Sequence, residues 1–194
     1  VAEATSREVC LARHREYKND TAKRINELQR TRIRAMLRPV RPGESVLDIG
    51  CNAGHLVDFL PRCAVYGVDC APELVALAAL RMRGAWVEEA EALTFPDQSF
   101  TCTVLGEILE HVHDPVVVLS EARRVCARHV VGSTPHPEGK WGTATVATHP
   151  HHVRCYTSRQ LRQDLTSAGL TPLHLEVVHD AAGVPQFWVF EAQR

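Results

Sequence analysis

From residue 45 onward the chain alternates short apolar runs with glycine-bearing loops and helical stretches, and that alternation leaves few folds open to it. Residues 45–49, 64–68, 85–87, 100–105 and 129–133 read as strands. Between them a helix begins at residues 56–60, a second opens at Pro72, and a third spans 114–127, where Asp114 and Pro115 supply an N-cap and a first-turn proline. Residues 173–178 and 187–191 form a terminal hairpin about Gly183. The economical solution is an α/β fold, a Rossmann-like doubly wound sheet, mostly parallel, with helices on both faces and an antiparallel edge.

The chain has 194 residues, 45% apolar and 23% charged, with a net charge of −1. A single domain of this size buries roughly 70% of its unfolded surface and needs no disulfide staples. The seven cysteines, at 10, 51, 63, 70, 102, 126 and 155, form no C-x-x-C pair, so buried reduced thiols are expected rather than bridges or a zinc knuckle. No apolar run reaches the ~18 residues of a membrane span, and residues 1–18 hold no signal-peptide stretch, which points to the cytoplasm. Residues 1–45 carry eleven basic against six acidic side chains. Ile25, Leu28, Ile33, Met36 and Leu37 recur there at near-helical spacing, so the basic residues are expected on the wet faces of a helix; a patch for an anionic partner is the alternative. Residues 1–41 thus read as a helical segment, either a sheet cover or a lid bearing Tyr17, Lys23 and Arg24, and 42–194 as the α/β domain.

In such sheets ligands bind beyond the carboxyl ends of the strands. The run Val46-Leu47-Asp48-Ile49-Gly50-Cys51-Asn52-Ala53-Gly54 sets a carboxylate at a strand end and glycines in the loop after it. A second acid, Asp69, ends the next strand, where an acid commonly accepts from ribose hydroxyls. A nucleoside is therefore expected. A dinucleotide would need glycines where Asn52 and His55 stand, and a phosphate-binding P-loop is ruled out because the only Gly-Lys pair precedes Trp141.

At these residues the chain resembles the class I S-adenosylmethionine-dependent methyltransferases, from about residue 45 to the end. The 48–54 loop matches their first motif, with Asn52 in place of its middle glycine, and residues 89–100 resemble their D-A-E-x-L-P-F-x-D-x-S-F segment, with Glu89 for aspartate. Residues 106–115 resemble S-E-V-L-E-H-V-x-D-P, and 131–135 the end of the fifth strand. The resemblance implies a seven-stranded sheet with its last strand antiparallel. It also implies S-adenosylmethionine held by Asp48, Gly50, Asn52, Gly54, Asp69, Cys70, Glu89, Ala90, Glu91 and Gly106, with Cys70 on the adenine edge and Glu89 at the adenine amino group.

Glu107, Glu110 and His111 are spaced by three and four, which would set them on one helical face, and a second histidine group, His149, His151 and His152, follows the fifth strand. Two carboxylates and two imidazoles suit either a metal-free general base or a divalent cation such as Mg²⁺, Mn²⁺ or Zn²⁺. Two metal-using branches of the family are similar here, the ubiquinone-pathway O-methyltransferases and the small-RNA 3′-terminal 2′-O-methyltransferases. The resemblance assigns Glu107, Glu110, His111 and His152 as ligands, although Val153, Arg154 and Cys155 depart from the RNA branch. Read as catalytic groups, the set is His111, His152 and Glu107; structural capping and packing is the third reading. The other histidines are scattered and read as surface or hydrogen-bonded residues, and Trp141 and Tyr156 either line an aromatic pocket or pack. Three functions follow: O-methylation of a secondary-metabolite or quinone-like hydroxyl, RNA 2′-O-methylation, and a non-catalytic nucleoside- or partner-binding subunit.

Overall fold

The computed structural model describes residues 25–142 and 151–194. Its seven strands, β1 (Ser45–Ile49), β2 (Ala64–Asp69), β3 (Gly84–Val87), β4 (Phe100–Gly106), β5 (Cys126–Pro135), β6 (Thr171–His179) and β7 (Pro185–Gln193), form one sheet in the order β3-β2-β1-β4-β5-β7-β6. The strands from β3 to β5 are joined in parallel, and β7 runs antiparallel to both β5 and β6. The order reverses between β1 and β4, which opens a crevice beyond their carboxyl ends.

Both faces are covered. Helix α1 (Glu27–Met36) starts at a capping box made by Asn26 and Gln29, and packs with α2 (Pro72–Ala78) over a core of Ile33, Met36, Val46, Cys102 and Val131. On the other face α3 (Pro115–Val125) and α4 (Ser158–Ser167) bury Leu119, Leu161 and Leu165 against Leu47, Leu105 and Val130. The Asp114 carboxylate accepts from the backbone N–H groups of Val116 and Val117, so the expected cap is made. Strands buried from both sides read as unbroken apolar runs rather than alternations, as in β1 and the middle of β5.

Three expectations are corrected. Residues 55–59 form only a short 3₁₀ turn (His55–Phe59), because Leu60 leaves helical geometry just ahead of Pro61. The third helix stops at Val125, and Cys126 and Ala127 already belong to β5. Cys70 is disulfide-bonded, whereas among the described residues Cys51, Cys63, Cys102, Cys126 and Cys155 are free thiols. Burial pushes the Cys51, Cys102 and Cys126 thiols up and keeps them protonated. Tyr17, Lys23, Arg24 and His149 lie outside the described residues.

Gly132 sits opposite Phe190 in the β5–β7 ladder, and a Cβ there would lie 2.3 Å from the Phe190 ring and 2.7 Å from the Leu105 carbonyl. Because one of these neighbours is backbone, the strain cannot be relieved by a rotamer change. Gly132→Ala should cost about 2–3 kcal/mol in urea unfolding. A loss below about 0.5 kcal/mol would show that the β5–β7 contact yields.

Candidate active site

The loop after β1 is shaped by three left-handed residues, Gly50 (φ 79°), Asn52 (φ 49°) and Gly54 (φ 75°). Asparagine is among the few side chains that tolerate this region, so Asn52 does conformationally what the motif's glycine would do. The N–H groups of Gly50 and Cys51 both donate to the Val68 carbonyl, at 2.8 and 2.9 Å, folding the loop back over the end of β2. There the Asp69 carboxylate accepts from the Asn52 N–H at 2.9 Å and the Ala71 N–H at 3.0 Å. Asp48 and Asp69 are both buried at the strand ends. Burial, aided by the Asp69 charge and opposed by Arg32, lifts the Asp48 carboxyl from an ordinary 3.8 up to about 7.

A Cβ added to Gly106, at the end of β4, would meet only ordinary contact distances, the nearest atoms being Met36 Cε at 3.6 Å and Arg32 Nη1 at 3.8 Å. Protein packing alone does not demand glycine there; a ligand lying against the strand end would. Glu89, Ala90 and Glu91 follow β3 in a loop that is clamped from below. Arg124 donates to the Phe95 and Leu93 carbonyls, and Glu121 accepts from the Leu93 N–H and pairs with Arg124. An edge-to-face aromatic set of Trp86, Phe95 and Phe100 supports the same loop. The loops after β1, β2, β3 and β4 thus bring the expected cofactor residues to one end of the sheet.

The segment after β4 is not a helix. Residues 107–113 form a turn, and Glu107 takes a left-handed backbone (φ 60°), a strained state for a glutamate and one that gathers at functional sites. Its N–H is tied to the Ser133 carbonyl at 3.0 Å. The turn splits the expected set. Glu107 accepts from the Ser133 hydroxyl at 2.9 Å and pairs with Arg32 at 3.4 Å, whereas Glu110, His111 and His152 bring one potential ligand atom each within 4.8 Å of one another. Glu110 is buried and accepts from the Thr134 hydroxyl at 3.2 Å. His111 Nδ1 donates to the His151 carbonyl at 2.7 Å, which turns Nε2 to within 3.6 Å of Glu110 Oε1, beside the His152 ring.

Two features of the site have no signal in the sequence. Arg32, grouped by periodicity with the wet face of α1, is largely buried beside the ends of β4 and β5: it donates to Ser133 Oγ at 2.6 Å, lies over the Phe187 ring, and keeps a buried Nε–H that no described residue accepts. Trp188, whose indole N–H donates to the Tyr156 carbonyl at 2.9 Å, packs its ring against His136 at the end of β5. His136 Nδ1 accepts from the Glu138 N–H, and burial holds its pKa down, so the ring stays neutral. Of the two aromatics expected to pack or line a pocket, Tyr156 packs in the core with its hydroxyl on Asp164, and Trp141 is exposed beside Lys140.

The raised Asp48 pKa sets a pH dependence. The folded protein holds this proton up to about pH 7 and the unfolded chain releases it near 3.8, so Asp48 subtracts stability progressively between those values and in full above pH 7. Asp48→Asn should therefore raise the stability of the ligand-free protein by about 2–4 kcal/mol at pH 8 and leave it nearly unchanged below about pH 4. Melting curves at the two pH values check this; an equal effect at both would contradict it.

The sequence of residues 14–175 matches the family model of a methyltransferase domain. The chain is 35% identical over 119 residues to an uncharacterized 37.1 kDa protein in transposon Tn4556 of Streptomyces fradiae, a match that covers 55% of this chain and 33% of that one. It is 36% identical over 96 residues to a ubiquinone biosynthesis O-methyltransferase of Xanthomonas campestris pv. campestris, covering 44% of this chain and 38% of that one. The chain thus spans between a third and two fifths of the length of these curated relatives. Among solved structures, the Burkholderia thailandensis 1,6-didemethyltoxoflavin-N1-methyltransferase, with 1,6-didemethyltoxoflavin and S-adenosylhomocysteine bound, superimposes with a TM-score of 0.77 at 16% identity, over 100% of this chain and 92% of that one. With the family model spanning most of its length and the strand-end acids and left-handed loop in place, the chain belongs to the class I S-adenosylmethionine-dependent methyltransferase family.

Proposed function

We propose that this protein transfers a methyl group from S-adenosylmethionine to a hydroxyl of a small secondary-metabolite or quinone-like molecule, with His111 as the base. The observation that carries the reading is the orientation of His111: the His151 carbonyl accepts from Nδ1 and turns Nε2 towards Glu110 in a buried cleft. The relatives that are ubiquinone biosynthesis O-methyltransferases support an oxygen acceptor of that size. When bound, S-adenosylmethionine supplies a methyl carbon activated by a positively charged sulfur.

The chain's own residues then have separate tasks. Asp69, held in orientation by two backbone N–H groups, accepts from the ribose hydroxyls, and the Glu89–Glu91 loop, together with Cys70, borders the adenine. Asp48, Gly50, Asn52, Gly54 and Gly106 surround the amino-acid portion, where Arg32 offers its guanidinium to the carboxylate. His111 Nε2 takes the proton as the acceptor oxygen bonds the methyl carbon and the sulfur–methyl bond breaks, leaving a neutral thioether. Glu110 lies beside the imidazolium that forms and stabilises it. Glu107 is a positioning residue, joining Arg32 to Ser133 at the mouth of the site.

The geometry also favours a second reading, in which Glu110, His111 and His152 hold a divalent cation that lowers the pKa of the acceptor hydroxyl. The Thr134–Glu110 and His111–His151 hydrogen bonds are the outer-shell contacts such ligands need. Glu107 is committed elsewhere, so three protein ligands remain rather than the four of the RNA-methylating reading, and a small-molecule acceptor is favoured over RNA.

Titration with S-adenosylhomocysteine tests the cofactor assignment: micromolar binding is expected, and none at all would leave a non-catalytic nucleoside- or partner-binding subunit. Asp69→Ala should weaken S-adenosylhomocysteine and 5′-methylthioadenosine alike, by about 1.5–3 kcal/mol, while Arg32→Met should weaken only the ligand that carries the carboxylate. Equal losses for Arg32→Met would remove it from the carboxylate. Once an acceptor is in hand, chelated and Mg²⁺-, Mn²⁺- or Zn²⁺-loaded protein separate the two readings. Under the base reading turnover is indifferent to metal and His111→Ala loses it about 100-fold or more with cofactor affinity kept; under the metal reading chelation abolishes turnover and His152→Ala does the same.

A further inference from the structure

At the end of the sheet opposite the cofactor cleft, the segments leading into β1, β4 and β5 and the one leaving β7 line an open cavity of about 690 Å³. That is a volume suited to a small ligand. Its wall carries Arg41, Arg123, Arg128, Arg194 and His129, and one acidic side chain, Glu191. A second carboxylate, Glu44, is buried beside the cavity and fully occupied: it accepts from Arg128 Nη1 at 2.8 Å and from the Arg41 backbone N–H at 3.1 Å, and lies 3.3 Å from His129 Nε2.

Three of the four guanidiniums are held in place by contacts that use only part of each fork. Arg123 Nε donates to the Gly169 carbonyl at 3.0 Å, Arg194 Nη1 to the Cys126 carbonyl at 3.4 Å, and Arg128 Nη1 to Glu44. Arg41 makes no ion pair among the described residues. Arg128 and His129 share Glu44, and His129 also lies 3.8 Å from Glu191, so two acidic side chains face four guanidiniums and the site keeps an excess of positive charge. Like charges held around one space repel each other, and a polyanion relieves that repulsion. The planar fork of arginine pairs with phosphate oxygens two at a time, so several guanidiniums in one cavity call for several linked phosphates.

We propose that this cavity binds a small molecule carrying a condensed phosphate chain, a di- or triphosphate. The site is separate from the one that holds the cofactor: β5 bears Arg128 near its amino end and Ser133 near its carboxyl end, and five strand residues span about 16 Å. The cations surround one cavity rather than line a track, which favours a compact polyphosphate over the evenly spaced single phosphates of a nucleic-acid strand.

The test is calorimetric titration of the whole chain with inorganic tripolyphosphate, orthophosphate and a short single-stranded oligonucleotide, at about 150 mM salt. Saturable tripolyphosphate binding is expected, at least about tenfold tighter than orthophosphate, and the Arg41→Ala/Arg194→Ala variant should lose it by at least about tenfold while binding S-adenosylhomocysteine as before. Arg41→Ala alone, which removes no ion pair among the described residues, should weaken tripolyphosphate measurably and serves if the double variant is unstable. Absence of saturable binding, binding that survives both substitutions, or competition by S-adenosylhomocysteine for the same site would overturn the proposal. Tighter binding of the oligonucleotide than of tripolyphosphate would overturn it too, and would give the cavity to nucleic acid.

Discussion

The rest of the site depends on two backbone N–H groups, those of Gly50 and Cys51, converging on the Val68 carbonyl. Three left-handed residues within five positions make that convergence possible. The consequence is electrostatic as well as geometric. Bending the loop over the end of β2 carries the Asn52 N–H to Asp69 and confines Asp48 beside a second carboxylate, out of water. A buried pair of acids costs stability in the ligand-free protein, and the cost is offset when donors and positive charge arrive. The hydroxyls of a ribose and the cation of a sulfonium are such partners, so the loop geometry and the raised Asp48 pKa describe one device seen from two sides.

The turn after β4 works by a similar exchange of local strain for position. A helix over residues 107–111 would have stacked Glu107, Glu110 and His111 on one face. Instead Glu107 adopts a left-handed backbone fixed by the Ser133 carbonyl, which directs its carboxylate to Arg32 and Ser133. Glu110 and His111 fall on the other side, beside His152. Each is oriented by one hydrogen bond: the Thr134 hydroxyl donates to the carboxylate and the His151 carbonyl accepts from the imidazole. The segment from residue 151 therefore contributes twice, through the His151 backbone that orients the His111 ring and through the His152 ring. Substituting the His151 side chain would leave the first contribution in place, whereas moving the backbone would not.

What can be read from the sequence follows from how local each signal is. Every strand of the sheet announces itself in a run of a few residues, and the N-cap of α3 needs only Asp114 and Pro115, so both are legible. Asn52 is legible as a departure from a glycine pattern, and its left-handed φ explains why the departure is harmless. The split of Glu107 from Glu110 is not legible, since spacing of three and four has meaning only if the segment is helical. Arg32 escapes because amphipathic periodicity assigns every basic residue of a helix to water, while the decision to bury one rests with Ser133 and Phe187, about a hundred residues or more away. The bridge at Cys70 is not legible either, because it depends on a contact distant in sequence and no cysteine spacing encodes that.

A parallel sheet also sorts charge, because all of its carboxyl ends lie on one side. Here Asp48, Asp69, Glu107 and Glu110 collect at that side, and Arg41, Arg123 and Arg128 at the amino ends, so a net charge of −1 conceals two oppositely charged ends of the sheet. The acidic end suits a cofactor whose reactive centre is a cation, with Arg32 the one guanidinium placed among those acids. The basic end suits an anion. With some ~16 Å of strand between them the two fields are largely screened from each other at physiological salt, whose Debye length is about 8 Å. Occupancy of one end therefore has little direct electrostatic effect on the other, and any coupling between them must pass through the strands themselves. β5 is the element placed to carry it, since Arg128 and His129 stand at one end and Ser133 and Thr134, which position Glu107 and Glu110, at the other.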